Sequence, residues 1–238
     1  PLLELSQPDA CARSITVEEA LRSTSAFVLI EVKAPPEPSA AIEEEAVLVA
    51  ELVQAYLARR GLGDDDGVFV VTPHHTQRLA VSRRLELHGV RKGQVCVDTV
   101  ERMQGQERDL VIVCYGSLVD LDEPGELDFT YSRERLNTAV TRAKKKCVLI
   151  CASDVLDPSV AACETMERQA GYELLRRISA RCPDHVEDGR VRVRYDASAA
   201  AAHTQTMDDS AASPDQARTH PSQLSVMIAS QPDDDGGG

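Results

Sequence analysis

The 238-residue sequence lacks the features of secreted and membrane-spanning proteins. No apolar run is long enough to cross a membrane, and no charged-then-apolar signal segment opens the chain. The chain starts at Pro1, and its first methionine is Met103. We therefore expect an intracellular protein, nuclear or cytoplasmic, with no membrane partner. We interpret the sequence as a fragment whose upstream part is missing; a processed mature protein is the alternative.

Paired cysteine spacing is also absent. The seven cysteines are an odd number, and no two of them form a Cys-x-x-Cys pair. Because Cys96, Cys114, Cys147 and Cys151 fall on predicted strands, we interpret them as core thiols in a reducing compartment. Neither a disulfide framework nor a metal site is predicted.

Positive charge is scarce over the whole chain. A formal net charge of −13 argues against a simple basic nucleic-acid binder. Residues 68–151, however, contain 13 Lys and Arg against 11 Asp and Glu, a net charge of +2 that leaves −15 for the rest. The acidity lies mainly in the flanks, so the objection is weaker for the middle of the chain.

Short apolar strands alternate with helices through that middle part. Strands are predicted at residues 26–32, 68–71, 94–97, 110–115 and 147–151. Helices are predicted at residues 42–60, from Thr72 and Pro73 to about residue 89, over 135–144, and at 159–181. The alternation predicts an α/β fold with a mostly parallel sheet, helices on both faces and right-handed crossovers.

The composition divides the chain into four predicted parts. Residues 1–38 are interpreted as a connecting segment with one strand, and residues 39–157 as the α/β domain. Residues 158–192 are expected to form a helical extension. Residues 193–238 contain few large apolar side chains, so we expect an acidic, disordered tail.

Two polar segments each lead into an apolar strand: residues 97–109 (VDTVERMQGQERD) and residues 135–144 (RLNTAVTRAK). In an α/β fold, polar residues at strand ends form the ligand crevice. Arg135 and Arg142 are seven residues apart, which would place them on nearly one face of a helix. Arginine suits phosphate because its planar fork stays charged and donates bidentately. Alternatively, Arg142 merely complements the helix C-terminus.

Residues 104–107 carry polar groups that could bind a nucleotide or form an ordinary turn. Gly105 permits a tight turn, and Gln104 and Glu107 can hold ribose hydroxyls, a metal-bound water or another arginine; an ordinary polar turn is the alternative.

Residues 71–78 (VTPHHTQR) follow a buried strand and open a helix, with Pro73 as the start signal. The exposed helix amides and the Thr72 hydroxyl could bind phosphate, and Arg78 lies close to the same crevice. His74 and His75 have no partners at metal-ligand spacing, so surface histidines are the default.

The three segments, in this order, resemble motifs IV, V and VI of superfamily 1 helicases, with the nonsense-mediated-decay helicase and senataxin group as the closest match. The match is carried by residues 70–73 (VVTP), 97–99 (VDT), 104–109 (QGQERD) and 135–143 (RLNTAVTRA). It covers residues 42–156, roughly half of the chain. The resemblance implies the second RecA-like lobe of a P-loop NTPase motor. ATP and Mg²⁺ would then bind jointly with a missing N-terminal lobe, and single-stranded RNA or DNA would lie in a groove.

The resemblance also implies roles for single residues. Arg142 matches the arginine finger, which stabilises charge during phosphoryl transfer, and Arg78 matches the other γ-phosphate arginine. Nucleotide-side positions are matched by Gln104, Gly105 and Glu107, while Arg135 would be a support within its motif or a nucleotide contact. Positions near the nucleic-acid backbone are matched by Thr72, Pro73 and Thr99.

The sequence departs from the family pattern at several points. His74 replaces an aromatic Tyr, Met103 replaces a Phe, and no Gly-x-x-x-x-Gly-Lys-Ser/Thr or acidic Walker-B motif occurs. We therefore expect a parent protein that hydrolyses ATP and a fragment that alone does not. Two alternatives stay open: a degenerate lobe that serves as an interaction or regulatory module, and an unrelated α/β nucleotide-binding domain.

Overall fold

The computed structural model describes residues 10–33, 38–60, 67–91, 93–103, 105–116, 124–188 and 191–195. The helices are α1 Ala10–Arg22, α2 Pro38–Arg60, α3 His75–Leu87, α4 Pro124–Thr130, α5 Arg133–Val140, α6 Ser153–Leu156 and α7 Met166–Ala180. The strands are β1 Phe27–Val32, β2 Val68–Val71, β3 Val95–Asp98, β4 Arg108–Cys114, β5 Ala143–Ala152, β6 Asp184–Asp188 and β7 Val191–Tyr195. Short 3-10 helices cover Val100–Met103 and Val160–Cys163.

All seven strands form one sheet in the order β3-β2-β4-β5-β1-β7-β6. The first five strands are parallel, and β7 and β6 continue the sheet in antiparallel pairing. The predicted mostly parallel sheet is confirmed. Among the described residues, no helix combines the length and the apolar character that crossing a membrane requires.

Side-chain alternation along the strands creates a core on each face of the sheet. In β2, Phe69 and Val71 join one apolar cluster, whereas Val68 and Val70 join the other. Helices α1, α2 and α3 cover the second cluster, and α5 and α7 cover the first. Successive strand residues point to opposite faces, so a strand covered on both sides must be apolar throughout. The prediction of helices on both faces is confirmed.

The sheet extends across the predicted boundaries at residues 38 and 157, and the division into domains stays a prediction. Strand β1 lies inside the sheet, paired with β5 on one side and β7 on the other. Residues 158–192, expected to be a helical extension, supply α7, β6 and the start of β7 to the same sheet and core. The apolar run of β1 needs cover on both faces, which a connecting segment would not provide. Residues 196–238, the greater part of the predicted tail, lie outside the described residues.

Several predicted boundaries also shift. Helix α5 ends at Val140, so the prediction that Arg135 and Arg142 share one helix is wrong. Strand β5 begins at Ala143 rather than at residue 147, because the Arg142 carbonyl already accepts a hydrogen bond from the Arg108 amide of β4. The helix predicted at 159–181 is divided, since the Thr165 hydroxyl caps a new helix that starts at Met166.

The buried cysteines behave as predicted, with one exception. Cys114, Cys147, Cys151 and Cys182 are free and buried. Burial raises the pKa of the Cys114, Cys147 and Cys151 thiols, which keeps them protonated and unreactive. Cys96 is exposed because β3 is the edge strand of the sheet, so its prediction as a core thiol is wrong.

Candidate functional site

The predicted residues Thr72 and Thr99 lie next to each other, directly after the carboxyl ends of β2 and β3. The Thr72 amide donates to the Asp98 carbonyl at 3.1 Å, which joins the two strand ends. Pro73 and Thr99 are partly exposed. Thr72 is fully buried, and within the described part of the chain its hydroxyl has no hydrogen-bond partner. A nucleic-acid contact through the Thr72 hydroxyl therefore does not fit this geometry, whereas Pro73 and Thr99 face solvent.

Arg78 lies in the first turns of α3 and points towards the same strand ends. Its guanidinium donates to the Asp98 carboxylate at 3.1 Å and lies 2.9 Å from His75 Nδ1. Asp98 also accepts from the Thr99 amide at 2.9 Å and pairs with Arg102 at 3.5 Å. Partial burial acts to raise the Asp98 pKa, but the Thr99 amide and the two arginines hold this pKa below its ordinary value. Asp98 is thus ionised at neutral pH and fixes the orientation of Arg78.

Arg135 occupies the first turn of α5 and faces the 3-10 helix that follows β3. Its Nε donates to Glu101 at 2.9 Å, and its guanidinium lies 3.7 Å from the centre of the Phe129 ring. Partial burial acts to raise the Glu101 pKa, but hydrogen bonds from its own amide and from Thr99, with the Arg135 charge, lower this pKa overall. The two contacts of Arg135 are both internal, which favours a supporting role over a nucleotide contact.

The predicted nucleotide-side residues lie at the other ends of the strands, just before the amino ends of β4 and β5. Gly105 has φ +74°, and a Cβ placed there would meet no atom within 4 Å. The glycine is therefore required by its left-handed backbone and not by lack of space. Glu107 is exposed, and Gln104 lies outside the described residues.

Arg142 stands next to this Gly105–Glu107 loop. The Arg108 amide donates to the Arg142 carbonyl at 3.0 Å, and the Arg142 Nε donates to the Thr138 carbonyl at 3.3 Å. The Arg108 side chain in turn donates to the Glu107 carbonyl at 2.8 Å. Arg142 and Glu107 are consequently held on two adjacent strand starts.

The predicted site residues thus form two groups. One group surrounds the carboxyl ends of β2 and β3: Thr72, Pro73, Arg78, Thr99 and Arg135. The other surrounds the amino ends of β4 and β5: Gly105, Glu107 and Arg142. Helix α5 links them, with Arg135 in its first turn and Arg142 two residues beyond its end.

Two buried polar residues behind the carboxyl-end group escaped the sequence analysis. Glu45 of α2 is only 6% exposed; it accepts a hydrogen bond from the Gln77 side-chain amide and one of 3.3 Å from the Gly116 amide. Helix α2 begins at Pro38, so Glu45 falls beyond its first turn, where the N-terminal helix dipole would have little effect on it. Glu45 instead ties α2 to the start of α3, one residue before Arg78.

The side chains present fit part of a nucleotide site. Arginines suit phosphate oxygens, and the exposed Glu107 carboxylate suits ribose hydroxyls. Among the described residues there is no group of three or more His, Cys, Asp and Glu side chains that could hold a metal ion. The sequence also has no phosphate-binding Gly-x-x-x-x-Gly-Lys-Ser/Thr loop. The described side chains therefore suit one side of a nucleotide and include no metal-binding cluster.

Comparison with known proteins places these motifs in a family. A family profile described as an AAA domain matches residues 11–154, more than half of the chain. The "Probable helicase senataxin" of Mus musculus is 28% identical over 138 residues, which cover 58% of this chain and 5% of that protein. The "DNA replication ATP-dependent helicase/nuclease DNA2" of Bos taurus is 35% identical over 107 residues, 44% of this chain and 9% of that protein.

A third relative has a shorter sequence but a similar match. The "DNA polymerase alpha-associated DNA helicase A" of Schizosaccharomyces pombe is 30% identical over 112 residues, covering 47% of this chain and 16% of that protein. The matched region is thus a small share of each of these relatives. Residues 11–154 include both groups of predicted site residues and the strands that carry them. The chain belongs to the AAA domain family, as a superfamily 1 helicase domain of the senataxin-like group.

Proposed function

We propose that this chain is the C-terminal motor lobe of an ATP-dependent RNA or DNA helicase. The observation that carries the proposal is that the Gly105–Glu107 loop lies beside Arg142. The backbone hydrogen bond of 3.0 Å from the Arg108 amide to the Arg142 carbonyl holds them together. A loop with an exposed carboxylate beside an arginine at a strand start suits one side of a nucleoside triphosphate. The phosphate-binding lobe would come from another part of the parent protein.

In this proposal each residue has one task. ATP, with Mg²⁺ held mainly by the other lobe, would supply the phosphoryl group that is transferred to water. Arg142 acts as the arginine finger and stabilises the negative charge that develops during transfer, an effect of about 10³-fold or more in rate. Arg78, oriented by Asp98, lies at the opposite ends of the strands from Arg142, so its match to a second γ-phosphate arginine stays a prediction. Gly105 and Glu107, with Gln104 beside them, bind the nucleoside side.

Single-stranded RNA or DNA is the proposed polymer partner. Pro73 and Thr99 are partly exposed at the carboxyl ends of β2 and β3 and would contact its backbone, with Thr72 buried behind them. Contacts to phosphates carry little sequence information and weaken with salt. Closure of the two lobes around ATP would move this surface relative to the first lobe and so move the strand.

The test is nucleotide turnover by the full-length protein that contains this chain, with and without single-stranded RNA and DNA. Arg142→Ala should lower stimulated turnover by about 10³-fold, because the developing charge loses its partner. Arg176→Ala is the matched control, since Arg176 is exposed on α7 and pairs only with Glu173 in the described structure. Equal turnover by wild type and Arg142→Ala would refute the proposal.

A second candidate is a degenerate lobe that acts as an interaction module. Val160 and Met166, near one another in the chain, are 91% and 82% exposed, which is unusual for large apolar residues. A folded full-length protein with no turnover on either nucleic acid would favour this candidate. The purified 238-residue chain alone is expected to show no turnover under either candidate, because it has no phosphate-binding loop.

A further inference from the structure

Phe129 of α4 stands between the two segments that carry the proposed polymer contacts and the arginines. The Arg135 guanidinium lies 3.7 Å from the centre of its ring, and the His74 ring lies 5.7 Å away at an angle of 37°. His74 directly follows Pro73 and occupies the N-cap position of α3, while Arg135 lies in the first turn of α5. One side chain outside all three helicase-like segments therefore joins the loop before α3 to the helix before β5.

The support beneath Phe129 is rigid. The adjacent Asp128 pairs with Arg168 of α7 at 2.5 Å, and the Arg168 side chain is only 10% exposed. Two residues along, Tyr131 is buried and its hydroxyl donates to the Val155 carbonyl at 3.1 Å. Helix α4 is thus tied to α7 and to the core, so the Phe129 ring is a fixed surface and not an adaptable one.

The contacts of Phe129 belong to a closed circuit around the carboxyl ends of β2 and β3. From Phe129 the circuit passes to Arg135, which binds Glu101 at 2.9 Å. Thr99 hydrogen-bonds Glu101 through its side chain and Asp98 through its amide. The circuit then continues to Arg78.

Its last step returns from Arg78 to the starting ring. The Asp98 carboxylate holds the Arg78 guanidinium at 3.1 Å, and the Arg78 amide donates to the His74 carbonyl at 3.0 Å. His74 meets Phe129, which closes the circuit. Proposed polymer contacts and a proposed phosphate arginine therefore share one network.

We propose that Phe129 is a positioning residue that couples nucleic-acid binding to nucleotide turnover. The inference rests on the proposed function. A guanidinium that lies on a ring face and pairs with a carboxylate is fixed both in its distance from the ring and in its orientation. Polymer binding at Pro73 and Thr99 would then reach Arg135 from two sides, through His74 and the fixed Phe129 ring and through Glu101. Arg142 is held separately by the Arg108 amide, so turnover without polymer does not depend on Phe129.

The test compares Phe129→Leu with Phe129→Tyr in the full-length protein. Leucine keeps an apolar side chain but removes the ring face, whereas tyrosine keeps the face. Phe129→Leu should reduce the stimulation of turnover by single-stranded nucleic acid about fivefold to tenfold. Loss of a cation–π contact changes an equilibrium constant by up to about tenfold. Phe129→Tyr and turnover without nucleic acid should both stay within about twofold of wild type.

A spectroscopic measurement on the 238-residue chain tests the positioning directly. In wild type, the ring face should shift the Arg135 Nε–H proton resonance, and the salt bridge should slow its exchange with water. Phe129→Leu should abolish the ring-current shift, and Phe129→Tyr should retain it. Loss of the shift together with loss of stimulation supports the proposal.

Two results would overturn the coupling role, and they differ from failure of the proposed function. Stimulation that survives in Phe129→Leu, in an active parent protein, refutes the coupling alone. An unshifted Arg135 resonance in wild type refutes the positioning contact. A wild-type parent protein without any stimulated turnover refutes the proposed function, and the coupling role with it.

Discussion

At the scale of single residues, Lys146 shows how burial changes an ordinary charged side chain. Its ammonium donates to the Ser23 carbonyl and, at 3.1 Å, to the Ala20 carbonyl, so it caps the C-terminal end of α1. Burial, with a smaller effect of the Arg59 charge, lowers the Lys146 pKa from 10.5 to about 8. The unfolded chain therefore holds this proton at pH values where the folded chain has released it.

That difference predicts how stability changes with pH. Between pH 8 and 10.5 the unfolded state binds more protons at Lys146, so its contribution to the free energy of unfolding rises with pH. Below pH 8 both states are protonated and the contribution is constant. Relative to Lys146→Met, wild type should gain about 1–3 kcal/mol across this window. Urea unfolding at pH 7, 8, 9 and 10 measures it, and parallel profiles for the two proteins would contradict the assignment.

At the scale of elements, the position of α7 depends on the close approach of Gly171 to the backbone of Tyr131. A Cβ on Gly171 would lie 1.6 Å from the Tyr131 carbonyl oxygen, far inside any permitted contact. Tyr131 lies between α4 and α5, and its ring meets Tyr172 edge-to-face at 6.2 Å. The missing side chain at Gly171 thus lets α7 pack directly on the backbone that carries Phe129 and Arg135.

Gly171→Ala should therefore be strongly destabilising. The overlap involves backbone, which cannot rotate away, so α7 must shift, and the expected loss is about 3 kcal/mol or more. Gly125→Ala is the matched control, because a Cβ at Gly125 in α4 would meet no atom within 4 Å. That variant should be neutral or stabilised by up to about 1 kcal/mol. Thermal unfolding distinguishes them, and equal midpoints would contradict the packing account.

The same elements show what the sequence could and could not predict. Strands β2 and β4 are apolar throughout because helices cover both faces, and this local pattern sufficed to predict them. The end of α5 depends on a hydrogen bond from Arg108, more than 30 residues away, so local periodicity extended the helix too far. Phe129 has no motif around it, and its importance arises only where α4, α5 and the loop before α3 meet.

At the scale of the whole molecule, sheet membership was the part that local patterns could not supply. The apolar run of β1 predicts a strand, but nothing near it in the sequence shows that it pairs with β5 more than 100 residues later. The antiparallel pair β6 and β7 is not predicted because charged residues interrupt the apolar pattern of both strands. The helicase-like motifs, in contrast, can be recognised from the sequence because each keeps its polar residues within a single short segment.

Charge distribution leads to the last prediction. Residues 196–238 contain seven Asp and one Arg, so they contribute −6 of the net −13. If single-stranded nucleic acid binds beside Pro73 and Thr99, this charge opposes it through long-range repulsion that salt screens over about 10 Å at 0.1 M. A chain ending at Tyr195 should bind a single-stranded oligonucleotide more tightly than the full chain at about 50 mM salt, and the difference should fade by about 300 mM.

A charge-matched variant separates charge from chain length in that experiment. Replacing the seven Asp of residues 196–238 by Asn keeps the segment but removes its acidity. If repulsion is the cause, this variant should bind like the shortened chain at low salt, as measured by fluorescence anisotropy. Binding like the intact chain would show instead that the segment occludes the surface by bulk, because bulk is insensitive to salt whereas repulsion between exposed charges is not.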